Sequence, residues 1–271
     1  MPFADPLWRV LRPEVPCGTG VLVLAGSSGR VDVERAELLR RHGALALAIR
    51  WFGGPGQQPG PFEVPLELFT DALDHLAAET DRLAIVGTSF GAEAALLTAA
   101  RDHRVRATVA FAPSPVVWAG YDGGRWTSHW TRDGSPVPWM PFVEGWTPRD
   151  DPPAYRDLYA RSLAADERAA EVAAIPVERI EGEVLLVAGG DDQVWPAQDF
   201  AEQIAARRTS YRLTTTVVTH PDAGHRTLLP GEAASGVTDA RLRRGGTPEA
   251  DAALGALAWP HVVAALGLAG P

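Results

Sequence analysis

Three residue types that together can break an acyl bond stand far apart in this 271-residue chain, at Ser89, Asp192 and His225. Ser89 is the centre of Gly87-Thr88-Ser89-Phe90-Gly91, between the strand-like run Arg82-Leu83-Ala84-Ile85-Val86 and the helix-like run Ala92-Glu93-Ala94-Ala95-Leu96-Leu97. A serine at such a junction must adopt a strained backbone. Glycines two residues away on either side remove the side chains that would strike the adjoining strand and helix. The pentapeptide alone is a weak signal, and its strand-to-helix setting raises it above chance. A hydroxyl nucleophile needs a base, and the base needs an orienting acid. Asp192 follows the apolar run Val184-Leu185-Leu186-Val187-Ala188, and His225 follows Pro221-Asp222-Ala223-Gly224 after the last strand-like run, in the chain order serine, acid, histidine.

Each assignment has a competitor. Asp191 adjoins Asp192, and the spacing to Pro196, which opens the next helix, favours Asp192 as the acid. His42, His75 and His261 sit on helix-like stretches, His103 follows the elbow helix, and His220 lies on the final strand. His129 alone among them is kept as a candidate substrate contact. His220, Asp222 and His225 could be read as metal ligands, but no helical histidine pair or cysteine cluster accompanies them, so no metal is expected. Gly26-Ser27-Ser28-Gly29 lacks the lysine of a phosphate loop and reads better as an oxyanion loop. The backbone N–H of Phe90 and that of Ser27 or Ser28 would then meet the developing charge, each worth roughly 3 kcal/mol.

The elements that must position these residues follow an αβ rhythm. A buried strand over 21–25 precedes a helix over 33–42 that Gly43 can cap. A strand over 44–50 and an amphipathic helix over 66–79 follow, then the elbow strand and helix, and a strand over 107–111. The rhythm returns at 184–188, with a helix over 197–207, a strand over 213–219 and a last helix over 247–266. This alternation implies an α/β fold with a mostly parallel, doubly wound sheet, read as one domain over 1–271. Between, over about 113–166, the chain is rich in proline, glycine and tryptophan and has no period. The segment reads as a cap insertion within that domain, in which Trp118, Trp126 and Trp130, with His129, are candidates to line an acyl pocket.

With 46% hydrophobic and 22% charged residues, the chain can bury a large core. Its net charge is −9, and all 25 basic residues are arginines. An acidic surface without basic clusters argues against nucleic acid and anionic membranes as partners, while local arginines such as Arg30, Arg125, Arg132 and Arg149 could still meet an anionic small molecule. Met1-Pro2-Phe3-Ala4-Asp5 has no signal-peptide pattern, no apolar run approaches a membrane span, and the single Cys17 forms no internal disulfide. The expected location is the cytoplasm.

Gly87-Thr88-Ser89-Phe90-Gly91-Ala92-Glu93, Ile175-Pro176-Val177-Glu178-Arg179-Ile180, Gly189-Gly190-Asp191-Asp192-Gln193-Val194-Trp195 and Ala223-Gly224-His225 resemble one family. They are similar to the catalytic domain of acyl-CoA thioesterases, shared with the C-terminal domain of bile acid-CoA:amino acid N-acyltransferases. The resemblance runs from about Cys17 to the end. It implies an α/β-hydrolase fold with Ser89 as nucleophile, Asp192 as acid and His225 as base, acting without a cofactor on an acyl thioester of coenzyme A or of an acyl-carrier protein. The family's larger members add an N-terminal β-sandwich, often have lysine where this chain has Phe90, and tend to use cysteine when the acceptor is an amine. A serine therefore leans toward hydrolysis. Transfer of the acyl group to an amine or hydroxyl, plain carboxylester cleavage, and ligand binding without chemistry are the rival expectations.

Overall fold

The computed structural model describes residues 7–232 and 241–269, so the expectation read from residues 1–5 lies outside it. Strand β1 (Trp8–Leu11) was not legible in the periodicity. Strand β2 (Thr19–Leu24) is buried along its whole length because both of its faces are covered: Leu22 and Leu24 enter one apolar cluster, Val21 and Val23 the other. Helix α1 (Val33–Arg41) opens on the side chain of Asp32, and Gly43, at φ +95°, turns the chain into β3 (Leu45–Ile49). Strand β4 (Val64–Pro65) leads into α2 (Glu67–Ala77), which buries Phe69, Leu73 and Leu76 on one face. Then come β5 (Arg82–Thr88), α3 (Phe90–Ala99) and β6 (Val105–Phe111).

The aperiodic segment forms β7 (Ala119–Tyr121), β8 (Trp126–Ser128), β9 (Trp130–Arg132) and β10 (Ser135–Pro136), then α4 (Arg156–Ala165) and α5 (Glu167–Val172). The rhythm resumes with β11 (Glu183–Gly189), α6 (Ala197–Ser210), β12 (Thr216–His220) and α7 (Pro248–Leu266). Strand β12 starts three residues later than the pattern suggests. Arg212 takes φ +63°, and Leu213 N bonds back to Arg208 O, so the chain is still turning off α6 there.

The seven-stranded sheet has the order β1-β3-β2-β5-β6-β11-β12, and every neighbouring pair is parallel except β1 with β3. Helices α2, α3 and α6 share a core with one face, α1 and α7 with the other. This is the expected doubly wound sheet. Helix α3 is buried nearly all round, which is why its sequence carries alanine and leucine without an amphipathic stripe. Backbone hydrogen bonds help tie the aperiodic segment to the body. Val64 N and Leu66 N donate to His129 O and Thr131 O at 2.9 and 3.0 Å, and Tyr155 N and Arg156 N donate to Gln193 O at 2.9 and 3.1 Å. Among the described residues, no helix is long and apolar enough to cross a membrane.

Candidate active site

Ser89 occupies the corner between β5 and α3 at φ +58°, ψ −122°, and is 6% exposed. Few non-glycine residues tolerate this region, at a cost of roughly 1–3 kcal/mol. The corner is held by Ser89 N donating to Phe111 O at 2.9 Å and by Ala92 N donating to Ser89 O at 2.8 Å. The two glycines are required by contact. A Cβ on Gly91 would stand 2.5 Å from Ala25 O and 2.6 Å from Leu24 O, at the end of β2, and one on Gly87 would run into the Gly91 carbonyl.

Asp192 lies just beyond β11 and is fully buried. Its Oδ1 accepts from Val194 N at 2.8 Å and Trp195 N at 3.2 Å, and its Oδ2 is 2.7 Å from His225 Nδ1. Two backbone donors and an imidazole thus meet a carboxylate that burial alone would penalise. Asp191 is exposed and serves the loop instead, accepting from Gly246 N at 2.8 Å and from Gln193 Nε2 at 2.8 Å.

His225 is set by its backbone, with its N–H donating to Arg244 O at 3.0 Å and Gly224 N donating to Asp251 Oδ1 at 2.8 Å. Burial pushes the Asp251 carboxyl above its ordinary value, against the opposing pull of that Gly224 N–H. The Trp195 ring stands edge-on to the imidazole, 5.4 Å between centroids.

Ser89 and His225 line one cavity of about 110 Å³, together with Gly26, Ser27 and Ser28. Phe90 is the first residue of α3, so its N–H has no intrahelical acceptor. Gly26, Ser27 and Ser28 are thus brought beside the serine; a Cβ on Gly26 would touch Ser89 Cβ at 3.0 Å. Among the described residues, no hydrogen bond joins Ser89 Oγ to the His225 ring. Such nucleophile–base contacts often tighten only with substrate.

The expectation of an acyl pocket lined by the tryptophans and His129 needs correcting. None of Trp118, Trp126, Trp130 or His129 borders this cavity. Trp118 is fully buried, its indole N–H donating to Ser114 Oγ at 2.7 Å, and its ring stacks on Phe142. Trp126 is 54% exposed, on the outer hairpin strand β8. Trp130 and His129 both turn inward to Glu93, at 3.0 and 3.2 Å from its Oε2, and the Phe90 ring packs 4.0 Å from that of His129. A tryptophan-rich stretch has the same composition whether it lines a pocket or fills a core, and here it mostly fills one.

What the sequence did not disclose is the charged wall of the cavity. Arg35, on α1, is 6% exposed and bonds Glu232 twice, at 2.7 and 3.1 Å, with further donations to Thr88 Oγ1 at 2.9 Å and Thr227 O at 3.0 Å. Arg30, Arg226 and Arg244 complete the basic side. Of the arginines singled out in the sequence, Arg30 alone reaches the site. Arg125 pairs with Glu63 and Asp122, and Arg132 with Asp133. The signal that could have found Arg35 was its place in an otherwise buried helical quartet, Arg35, Ala36, Leu38 and Leu39.

Residues 64–266 match the family described as BAAT / Acyl-CoA thioester hydrolase C terminal. The mouse acyl-coenzyme A amino acid N-acyltransferase 2 is 26% identical over 215 residues, covering 76% of this chain and 48% of that protein. The mouse acyl-coenzyme A thioesterase 6 is 24% identical over 218 residues, with the same coverage. The chain therefore spans about half the length of the curated relatives it matches. Among solved structures, a Klebsiella pneumoniae protein assigned by inference as a dienelactone hydrolase superposes with a TM-score of 0.56 at 18% identity, over 94% of this chain and 90% of the other. That likeness shows the α/β-hydrolase fold.

Proposed function

This chain belongs to the BAAT / acyl-CoA thioester hydrolase C-terminal family, and on that premise we propose that it is a serine hydrolase of acyl thioesters, carried on coenzyme A or on an acyl-carrier protein. One observation carries the reading. The 2.7 Å contact of His225 Nδ1 with buried Asp192 commits that nitrogen and leaves Nε2 as the base, in the cavity that strained Ser89 also lines.

Ser89 Oγ attacks the thioester carbonyl carbon as its proton passes to His225 Nε2, and Asp192 holds the imidazole in the required tautomer and stabilises the imidazolium. The carbonyl oxygen gains charge against the Phe90 N–H and an N–H of Ser27 or Ser28. Collapse of the tetrahedral species expels the thiolate, which His225 protonates, leaving an acyl ester on Ser89. Water then gives His225 a proton as it attacks that ester, and collapse of the second tetrahedral species releases the acid while His225 returns the proton to Ser89 Oγ.

The test is a panel of short to long acyl-CoA thioesters and matched oxoesters, with the protein and its Ser89→Ala variant, followed by thiol release. Ser89-dependent thiol release faster than ester cleavage is expected. Full activity in Ser89→Ala would overturn the mechanism, and ester cleavage alone would move the assignment to a carboxylesterase. Acyl amides formed on adding amines would move it to an acyltransferase.

A further inference from the structure

Trp195, beyond β11, touches three parts of the site at once. Its backbone N–H donates to Asp192 Oδ1 at 3.2 Å. Its ring meets the His225 imidazole with 79° between the planes. The same ring packs on Phe90, 5.6 Å between centroids, and Phe90 carries the N–H proposed to face the oxyanion. Tyr159 of α4 and Phe200 of α6 hold the indole in turn, at 5.3 and 6.2 Å. The indole nitrogen sets this residue apart. Among the described residues, the other fully buried tryptophans each donate: Trp51 to Ala25 O at 2.9 Å, Trp118 to Ser114 Oγ at 2.7 Å and Trp130 to Glu93 Oε2 at 3.0 Å. Trp195 is as deeply buried, yet its Nε1 has no acceptor among the described residues. A buried donor without a partner lowers stability, and phenylalanine would fill a core without that penalty. Local rules broken in this way tend to mark functional sites.

We infer that Trp195 is a positioning residue: its indole fixes the plane of the His225 imidazole and the seat of Phe90, keeping base and oxyanion donor in register around Ser89. The inference rests on acyl chemistry at Ser89 and deepens it. The bond from Nδ1 to Asp192 Oδ2, at 2.7 Å, fixes one corner of the imidazole. It leaves the ring free to swing about that contact, and Nε2, across the ring, would then move relative to Ser89 Oγ. A rigid ring packed on the imidazole removes that freedom.

Phe90 has the same requirement, because its N–H must point at the charge that develops on the carbonyl oxygen. Its ring rests on two buried rings, that of Trp195 and that of His129, the latter 4.0 Å away and itself 3.2 Å from Glu93 Oε2. A displacement of about 1 Å in such a group lowers a rate by roughly a hundredfold. His225 and Phe90 come from distant parts of the chain, and one indole in contact with both holds their separation. Through Tyr159 the aperiodic segment also bears on that indole, and so on the base.

The experiment compares Trp195→Phe with Trp118→Phe. Both shorten a fully buried indole, but only Trp118 gives up a hydrogen bond. Each variant is followed by urea unfolding, by the rate at which a fluorophosphonate labels Ser89, and by kcat and KM for butyryl-coenzyme A. Trp195→Phe is expected to keep the higher unfolding midpoint of the two, yet to label about tenfold or more slowly, with kcat lowered alike and KM within about twofold. Trp118→Phe is expected to show the reverse, a lower midpoint with labelling within about threefold of the unmutated rate. Labelling of Trp195→Phe at the unmutated rate overturns the inference. So does a Trp195→Phe protein that fails to fold or unfolds before Trp118→Phe, because the indole is then a core residue. An equal loss of labelling in Trp118→Phe overturns it as well, since any loss of core volume would then suffice. If the unmutated protein cleaves no thioester while labelling separates the variants as expected, the thioester reading falls and the positioning role stands. If the unmutated protein and Trp195→Phe cleave the thioester with equal kcat, the positioning role falls and the hydrolase stands. An unmutated protein that takes no label overturns both.

Discussion

The indole N–H of Trp130 donates to Glu93 Oε2 at 3.0 Å, joining β9 of the aperiodic segment to the helix that begins one residue after Ser89. Both side chains are fully buried, and His129 meets the same carboxylate oxygen. Replacing Trp130 with Phe keeps most of the ring volume and removes the donor. The expected loss is about 1–3 kcal/mol in urea unfolding, the usual cost of a buried acceptor left short of a partner. Trp126→Phe, at an exposed position, should stay within about 0.5 kcal/mol. Equal effects at the two tryptophans would refute the role given to Glu93.

The pair Asp191–Asp192 offers a sharper contrast, because one carboxylate touches His225 and its neighbour holds Gly246. Asp192→Asn would favour the wrong imidazole tautomer and should lower kcat by roughly 10⁴, as loss of the orienting carboxylate does in serine hydrolases generally. Asp191→Asn should change kcat by less than about tenfold, and its effect should fall on loop stability. A larger kcat loss in Asp191→Asn than in Asp192→Asn would reverse the assignment of the acid.

Gly91 tests the strained corner. Any Cβ there meets the carbonyl oxygens of Leu24, the last residue of β2, and of Ala25 just after it, which are backbone and cannot rotate away. Gly91→Ala should either fail to fold or fold with Ser89 displaced and unreactive toward a fluorophosphonate probe. A soluble Gly91→Ala protein labelled at the unmutated rate would show that the corner tolerates what the contacts forbid. Gly124, whose added Cβ would meet only Asp122 Oδ1 at 3.6 Å, supplies the control.

How much of this was legible in the sequence depended on how locally each feature is determined. Strands β2, β5 and β11 are runs of Val, Leu, Ile and Ala long enough to need burial on two faces, so pattern alone located them. The order of Ser89, Asp192 and His225 along the chain, with turn residues beside each, pointed in the same way to the candidate site, where Asp192 meets His225 and Ser89 shares its cavity. Strands β7 to β10 are only two or three residues long, and no period can be read from so few positions. The tryptophans misled because an indole fills a core as readily as it lines a pocket, and its N–H partner (Ser114 for Trp118, Glu93 for Trp130) is known only after folding. Arg35 and Glu232 are 197 positions apart, and neither carries a sign of the other.

That long-range pair also sets how stability responds to pH. Arg35 and Glu232 are 7% and 6% exposed at their side chains. Burial alone would raise the Glu232 carboxyl, but the charge and hydrogen bonds of Arg35, with the Leu229 N–H, outweigh it and hold the group below its ordinary 4.5. A carboxyl depressed in the folded state contributes stability that is complete above its unfolded value and fades as pH falls through the folded one. Glu232→Gln cannot carry the charge at any pH, and it leaves the Arg35 guanidinium buried beside an amide. At about pH 7 the variant should therefore be less stable by roughly 3 kcal/mol, the scale of a broken buried pair. The gap should narrow steadily below about pH 4.5, because the unmutated protein then loses the same interaction by protonation. Urea unfolding of both proteins across that range is the measurement. A gap that stays constant with pH would mean that shape and packing, rather than the ion pair, hold α1 against this wall of the cavity.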